Sequence, residues 1–442
     1  GTAMPTVIAP RPSAFRRPLT WAVPVVVVSV LMSLLAALYL GGVADPQKNL
    51  RHFPLALVQN DEGDVLPNGQ QANLGQSIAD GIEKGLDPDR FDLRVVGIAQ
   101  AQEMLANGDV YAAVTIPSDF TKRVTVLAEA AAVPGDVEKP IVTVTTNPRA
   151  GTLGSTLAST VADRALAEAN TTVGSQLVDQ VTAGLPEGTA LTGTAALTLA
   201  QPIDVVVAPY DPLPGGTGLG LSAFYYALLL VLAGFTGATI ANALVDGAIG
   251  YLPLEYGPFF RQKPAVPVSR LRTLVAKWLT MIVVGAVVSA LYLAIAAALG
   301  MPTPHALLLW LYGTLAISAV GITAMSVVAV LGTPGLVINL VLFVILGLPS
   351  AGATIPLEAT PRLFGFLATF EPMHQVYLAV RAILYFDGRW SAGLAHGLTM
   401  TLIGLALGLV VGAAVAALYD RRGRRRAVTA PSARDEAVGA DG

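Results

Sequence analysis

Cysteine is absent from the sequence, and charged residues make up only 13% of its 442 positions. Without cysteine, disulfides, thiolate zinc sites, iron–sulfur clusters and cysteine nucleophiles are all excluded. A soluble domain carries about 25% charged residues, whereas this chain is 53% hydrophobic and has a mean hydropathy of +0.61. These values exclude an ordinary soluble globular protein and indicate that part of the chain lies in lipid.

Recognisable catalytic motifs are also missing. None of the lysines follows a glycine, so the sequence has no P-loop of the form GxxxxGK[ST] and cannot hydrolyse ATP through one. No GxSxG or HExxH motif occurs, and no two histidines stand at a metal-ligand spacing. The sequence therefore predicts no enzyme, no cofactor and no metal site. The histidines are His52, His305, His374 and His396.

Six apolar stretches are long enough, or nearly so, to cross a bilayer, whose ~30 Å core needs about 20 helical residues. The fifth is short and follows Pro334, which sets its start. The first has a longer apolar core than the ~7–15 residues of a signal peptide, so we predict an uncleaved anchor. The six stretches are residues 20–40, 219–245, 273–299, 306–331, 335–348 and 395–418.

Lysines and arginines gather in three segments that six crossings would place on one side of the membrane. The positive-inside rule makes that side cytoplasmic, so both termini are predicted in the cytoplasm of a bacterial plasma membrane. Residues 43–216 then lie outside, where 10 Lys and Arg against 21 Asp and Glu give a charge of −11 and argue against nucleic-acid binding. The basic residues are Arg11, Arg16, Arg17, Arg261, Lys263, Arg270, Arg272 and the arginines between 421 and 426.

The predicted fold is a polytopic α-helical membrane protein with six transmembrane helices and a large extracytoplasmic α/β domain inserted between helices 1 and 2. The chain divides accordingly into a cytoplasmic N-terminus (1–19), the first transmembrane helix (20–42), the α/β domain (43–216), a five-helix membrane region (217–420) and a basic, disordered cytoplasmic tail (421–442). The membrane region contains a cytoplasmic loop at 246–272 and an outer loop at 350–393.

Short β-rich runs alternate with helical patterns in the α/β domain. This alternation predicts a partly parallel sheet with crossover helices. The strands are expected at 55–59, 92–96, 111–116, 141–145 and 203–207, and the helices at 70–86, 98–107, 118–132 and 152–184. The last segment is long and poor in charge, and we interpret it as a helical hairpin or a coiled-coil stalk.

Two motifs in this domain carry a family resemblance. Residues 55–63 read LALVQNDEG, and residues 108–121 read GDVYAAVTIPSDFT. Together they resemble the strand–turn motifs of the YhgE/Pip (phage infection protein) family, within the ABC type-2 membrane permease group, although Gln59 and Thr121 depart mildly from the pattern. The motif positions that we single out as a candidate site are Asn60, Asp61, Gly63, Pro117, Asp119 and Phe120.

The cytoplasmic loop is the candidate surface for a partner. Its sequence also resembles those permeases, in which the equivalent short helix contacts an ATPase subunit, so the resemblance implies a separate cytosolic ATPase. The alternative is a proline-stiffened linker whose positive charges only set orientation. The candidate coupling residues are Glu255, Gly257, Arg261, Pro267, Ser269 and Arg270.

Small residues recur at a four-residue spacing in two of the predicted membrane helices. Such stripes let helix backbones approach closely in lipid, and they serve either packing within one bundle or a homodimer seam. The residues are Gly404, Gly408 and Gly412 in the last helix and Ala233 and Gly237 in the second. The outer loop, with several aromatic residues, is interpreted either as two short helices, which the resemblance also implies, or as a simple aromatic belt.

The apolar centres of the predicted spans contain no ionisable residue, and such residues are the usual relays of ion-driven pumps. We therefore expect a subunit of an export system for a lipid-like or amphipathic envelope component, energised by a separate ATPase. The alternative is a non-transporting envelope scaffold, secretion accessory or phage-adsorption protein that acts through its α/β domain.

Single cysteines can test the predicted orientation, because the chain has no thiol of its own. In intact cells, Ser118→Cys should react with a membrane-impermeant maleimide, and Ser269→Cys should react only after permeabilisation. The reverse labelling pattern would overturn the predicted topology.

Overall fold

A computed structural model of the chain describes residues 15–66, 69–130, 138–185, 187–424 and 426. Arg11, Arg425 and the predicted disordered tail beyond residue 426 lie outside the described residues. The first helix, α1 (Pro18–Val43), leads directly into the α/β domain.

The α/β domain is built on a five-stranded sheet with the order β4-β1-β5-β6-β7. Its strands pair in parallel except for β5 and β6, which are antiparallel. Each strand lies within two residues of a predicted one. The strands are β1 (Phe53–Gln59), β4 (Phe91–Val95), β5 (Ala112–Ile116), β6 (Ile141–Thr146) and β7 (Asp204–Pro209), and a separate small pair is formed by β2 (Asp64–Val65) and β3 (Gln71–Ala72).

Five helices cover this sheet. They are α2 (Leu74–Gly85), α3 (Ile98–Ala106), α4 (Phe120–Ala130), α5 (Thr152–Ala183) and α6 (Gly193–Ala200). The prediction of a hairpin or stalk for 152–184 is wrong, because α5 is one uninterrupted helix that packs along the domain. Its buried side chains recur at helical spacing, as in Ala158, Ala162 and Leu166. Near its end, Gly174 lets the backbone of Ala200 come into direct contact.

The remainder of the chain forms a helix bundle. Its long helices are α7 (Leu221–Ala248), α8 (Arg270–Ala298), α9 (Ala306–Leu331) and α13 (Leu394–Arg421). Between them lie the strands β8 (Leu254–Tyr256) and β9 (Phe259–Arg261) and the shorter helices α10 (Pro334–Leu340), α11 (Arg362–Ala368) and α12 (Pro372–Tyr385). We call the end that carries the α/β domain the domain end, and the other, with β8 and β9, the hairpin end.

Five of the described helices are long and apolar enough to cross a membrane, namely α1, α7, α8, α9 and α13. The predicted fifth span, 335–348, corresponds to α10 and a π-helical turn, Val341–Ile345. This apolar helix covers only Pro334–Ile345, about 18 Å at 1.5 Å per residue, which is less than the ~30 Å bilayer core. The six-span arrangement therefore stays a prediction.

Helix α9 is the centre of the bundle, and α7, α8 and α13 all pack against it. Glycines make these contacts close. A Cβ on Gly234 of α7 would lie 2.6 Å from the Val320 Cβ, and one on Gly285 of α8 would lie 2.8 Å from the Ser318 Oγ. Each crossing thus depends on backbone approach, which is the general mode of helix packing in lipid.

The predicted small-residue stripe of α13 divides between two environments. A Cβ on Gly408 would lie 2.8 Å from the Thr323 Oγ1, and one on Gly412 would lie 2.6 Å from the Ser326 Oγ, both on α9. Gly404 has no heavy atom within 4 Å of that position. Gly408 and Gly412 therefore face the same chain, and Gly404 faces away from it.

The stripe of α7 makes looser contacts at its predicted positions. Ala233 is half-buried, and a Cβ on Gly237 would lie at an ordinary 3.5 Å from Met281. The tight contact of α7 is instead at the neighbouring Gly234, which the four-residue pattern missed.

Helix α1 stands apart from this bundle. It contacts the rest near its C-terminal end, where the Tyr39 hydroxyl donates to the Val344 carbonyl at 3.1 Å. Leu38 packs there with Ile345, Phe364 and Leu367. Most of its apolar side chains are exposed, as expected of a helix that faces lipid.

Replacement of Gly408 with leucine should lower the free energy of unfolding by about 2 kcal/mol, because overpacking a tight contact typically costs 1–3 kcal/mol. Thermal unfolding of the detergent-purified protein measures this change. The matched variant Gly404→Leu should leave the melting temperature nearly unchanged, since its side chain enters open space. Equal effects of the two substitutions would contradict the packing described here.

Candidate functional sites at the two ends of the bundle

Asp61, the central residue of the first predicted motif, is 6% exposed and joins three elements of the α/β domain. Its carboxylate accepts hydrogen bonds from the backbone N–H groups of Gly63 at 3.1 Å, Gly75 at 2.8 Å and Thr121 at 3.1 Å, and from the Thr121 hydroxyl. Gly75 and Thr121 lie in the first turns of α2 and α4. One carboxylate therefore satisfies the N-termini of two helices, where a negative charge is favourable.

The other motif residues also build this junction. Gly63 has φ of +76°, and a Cβ there would lie 2.7 Å from the Ala72 carbonyl oxygen. Phe120 is fully buried, and the Pro117 carbonyl accepts from the Phe120 N–H at 3.2 Å. Asn60 is bonded through its backbone to Ile116, and Asp119 pairs with Arg123 at 3.0 Å near the surface. The motif residues thus meet at one place, and their contacts there are structural.

Several polar contacts join the α/β domain to the bundle, and four of them lie on the segment 350–393. Arg149 donates to the Tyr385 carbonyl at 2.9 Å, and Arg381 donates in the opposite direction to the Ala150 carbonyl at 2.9 Å. Arg51 donates to the Thr360 carbonyl at 2.8 Å. The Tyr111 hydroxyl donates to the Glu358 carboxylate at 3.0 Å. We call these contacts the domain joint. It joins the α/β domain to the segment 350–393.

The segment 350–393 contains two short helices, α11 and α12, as one of the two interpretations expected. Its aromatic residues do not form a uniform belt. Phe364, Tyr377, Tyr385 and Phe386 are buried, and the exposed ones are Phe366, Phe370 and Trp390. Helix α12 packs against α7 and α13 and so links the α/β domain to the bundle.

Glu371, directly before α12, is a buried carboxyl group that sequence reasoning missed. The residue is completely buried, and neither carboxylate oxygen has a hydrogen-bond partner among the described residues. Burial raises the pKa of Glu371 from 4.5 to about 8. His374 lies one turn further on, and burial lowers its pKa to about 4. Both side chains are therefore neutral at pH 7, and a carboxyl with such a perturbed pKa is a candidate functional group.

At the hairpin end, the predicted coupling loop forms a β-hairpin. The short helix implied by the resemblance is absent from the described part of this loop, because prolines at 253, 258, 264 and 267 remove helical hydrogen bonds. Strands β8 and β9 pair antiparallel, and Gly257 begins the two-residue turn with φ of +58°, a backbone conformation that favours glycine.

The hairpin presents aromatic side chains to its surroundings. Tyr256 is 57% exposed, Phe259 70% and Phe260 62%. Glu255 and Arg261 are also exposed and form no ion pair among the described residues. The hairpin therefore exposes both aromatic side chains and charged side chains that have no ion-pair partner among the described residues.

The remaining loop residues hold α8 in place. Ser269 caps α8 by accepting a hydrogen bond from the Arg272 N–H at 3.2 Å. The Asp420 carboxylate accepts from the Arg270 N–H at 3.0 Å, and the Arg270 guanidinium lies 5.5 Å from the Tyr419 ring. Pro267 is an exposed residue just before this cap. These contacts fix the start of α8 against the end of α13.

A buried ion cluster lies beside the hairpin. Lys277 binds the Asp246 carboxylate at 2.9 Å and the Asn242 side chain at 2.5 Å. Arg426 also binds Asp246, with its Nη2 at 2.9 Å from Oδ2. Lys277 is only 5% exposed, so it is paired within the protein and does not extend to the membrane surface. Spacing in the sequence does not reveal this cluster, since its members are up to 180 positions apart.

The described residues contain no group of three histidine or acidic side chains that could hold a metal ion. A family model described as a protein of unknown function, DUF3533, matches residues 24–408. No curated protein and no solved structure matches the chain. The resemblance to YhgE/Pip proteins therefore stays a prediction.

Glu371 should make the stability of the protein depend on pH. Between pH 4.5 and about 8 the unfolded chain has released this proton while the folded chain keeps it, so stability falls as the pH rises through that window. Melting temperatures measured in detergent from pH 5 to 9 should show a weaker decline for Glu371→Gln than for the unaltered protein. The exposed control Glu103→Gln should retain the full decline. An unchanged slope in Glu371→Gln would contradict the raised pKa.

Proposed function

The chain belongs to the DUF3533 family of proteins of unknown function, and we propose that it is the permease-like membrane subunit of an export system. Its cargo is a lipid-like or amphipathic envelope component, and a separate cytosolic ATPase supplies the energy. In this proposal the chain crosses a bacterial plasma membrane six times, with both termini and the hairpin in the cytoplasm and residues 43–216 outside.

The hairpin surface is the observation that carries this proposal. Clustered exposed aromatic residues are uncommon on a surface without a partner, and aromatic and arginine side chains dominate the energetics of interfaces. Phe259 and Phe260 stand beside Arg261, which forms no ion pair in the described part of the chain. A nucleotide-hydrolysing partner that binds this surface would supply the ATPase activity for which the chain has no P-loop.

The hairpin is in direct contact with the end of α7. A Cβ on Gly247 of α7 would lie 2.6 Å from Leu254 of β8, so the hairpin packs directly on the helix end. The Tyr251 hydroxyl closes the base of the loop by donating to the Val266 carbonyl at 2.7 Å. Movement of the hairpin would therefore move the ends of α7 and α8 and reach α9 through their close packing.

The lipid-like nature of the cargo is supported by the placement of charge. The long helices expose apolar side chains along their length, while the buried ions Asp246 and Lys277 lie at the hairpin end, and Glu371 lies at the domain end. An amphipathic molecule that moves along an apolar helix surface needs no ion-lined channel. A homodimer remains part of the proposal, with α1 and the face around Gly404 as surfaces that the described chain leaves uncovered.

The alternative function is that of an envelope scaffold, secretion accessory or phage-adsorption protein acting through the α/β domain. The domain joint supports this alternative, because it fixes the α/β domain on the bundle. The two functions differ in which surface is essential.

Reversal of the charge of Arg261 separates the two functions. Arg261→Glu should change the free energy of unfolding by no more than about 0.5 kcal/mol, as exposed substitutions usually do, but should abolish co-purification of an ATPase and export. Lys122→Glu, an exposed reversal on the α/β domain, should leave both intact. If Arg261→Glu retains full function in cells and Lys122→Glu does not, the export proposal fails and the scaffold is favoured.

A further inference from the structure

A groove runs along the α/β domain between α2 and α5. It has a volume of about 350 Å³, within the ~300–1,000 Å³ range of ligand sites. Its floor is apolar and includes the buried side chains of Ile78, Ile82, Leu157 and Val173. The groove belongs to neither the motif junction around Asp61 nor the domain joint.

Two glycines on α2 line one side of the groove without a side chain that would fill it. Gly81 and Gly85 lie one helical turn apart on α2 and line the groove, and a Cβ on either would meet no heavy atom within 4 Å. Gly81 lies inside α2, where glycine costs about 1 kcal/mol relative to alanine, and no neighbouring group requires glycine there; Gly85 is the last residue of the helix. The space that these glycines leave open is therefore a feature of the groove itself.

The charges that line the groove differ from those of its domain. Residues 43–216 contain twice as many acidic as basic side chains, but the groove is lined by Arg90 and Arg164 and by a single acidic residue, Glu168. Arg164 is exposed and forms no ion pair among the described residues. This local excess of positive charge is complementary to an anionic group.

The groove begins beside the first helix and extends away from it. Gln47 and Leu50, which line its near end, follow α1 by only a few residues, and Arg90 donates to the Gln47 carbonyl at 2.7 Å. Along α5 the lining runs from Leu157 to Gln176, about 28 Å at 1.5 Å per residue. This length exceeds the hydrocarbon depth of one bilayer leaflet, which is about 15 Å, half of the ~30 Å core.

We propose that this groove binds an anionic phospholipid, with one acyl chain along the apolar floor and the headgroup at Arg90 and Arg164. The inference rests on the proposed function, because it assigns the class of cargo and gives that cargo a path away from α1. An extended peptide fits the groove less well, since its helical walls offer no strand edge for main-chain pairing.

Photo-cross-linking of the full-length protein tests this assignment. The protein is reconstituted into vesicles that contain phosphatidylglycerol with a photoreactive acyl chain, and the adducts are mapped by peptide mass spectrometry. We expect adducts on groove residues of α2 and α5 as well as on α1 and α8. Photoreactive phosphatidylcholine should give about tenfold fewer groove adducts, because it lacks the net negative charge that the arginines favour.

Two variants with matched controls probe the shape and the charge of the groove. Gly81→Phe should reduce the groove adducts at least about tenfold by filling the space, whereas Ala167→Phe, on the exposed face of α5, should not. Arg164→Glu should remove the preference for phosphatidylglycerol, and Lys84→Glu, an exposed reversal outside the lining, should retain it. Adducts on α8 report in every case that the protein is folded and inserted.

Adducts confined to α1 and the bundle, or groove adducts unaffected by Gly81→Phe, would overturn the lipid site. Either result would leave the export proposal standing, because that proposal is tested separately through Arg261 and the ATPase. Conversely, groove adducts with the expected dependence would support the lipid site even if no ATPase bound the hairpin.

Discussion

Close contact between helix backbones at α9 organises the helix bundle. In lipid the hydrophobic effect does not hold one apolar helix against another, so association relies on tight packing and on hydrogen bonds between helices. Gly234, Gly285, Gly408 and Gly412 bring three helices against α9 at distances that no larger residue would allow. Hydrogen bonds also join these helices: the Trp278 indole N–H of α8 donates to the Ser326 hydroxyl of α9 at 3.2 Å.

This packed centre connects the two ends of the molecule. At the hairpin end, α7 and α8 carry a β-hairpin whose aromatic residues are exposed. At the domain end, α12 packs between α7 and α13 and meets the α/β domain through Arg149 and Arg381. A continuous path of direct contacts therefore runs from the hairpin through the bundle to the sheet.

Ionisable groups are concentrated at these ends in two different ways. Asp246 is neutralised by Lys277 and Arg426, so the cost of burying the charges is offset by their pairing. Glu371 has no such partner among the described residues, and its raised pKa keeps it protonated instead. The first arrangement fixes the junction of α7, α8 and the segment after α13, and the second leaves a group that can change its charge near neutral pH.

Elements that depend on a local pattern of residues can be predicted from the sequence alone. Apolar runs of about 20 residues identified α1 and the four long helices of the bundle. Alternating β-rich runs located the five strands to within two residues. Both patterns are visible because burial imposes them directly on the chain. The contacts between these elements become visible only in the folded chain. Gly234 rather than Gly237 makes the tight crossing, Lys277 pairs with Asp246 and Arg426, and Asp61 joins α2 to α4. These contacts link residues far apart in the chain, and no local spacing encodes the distance between them.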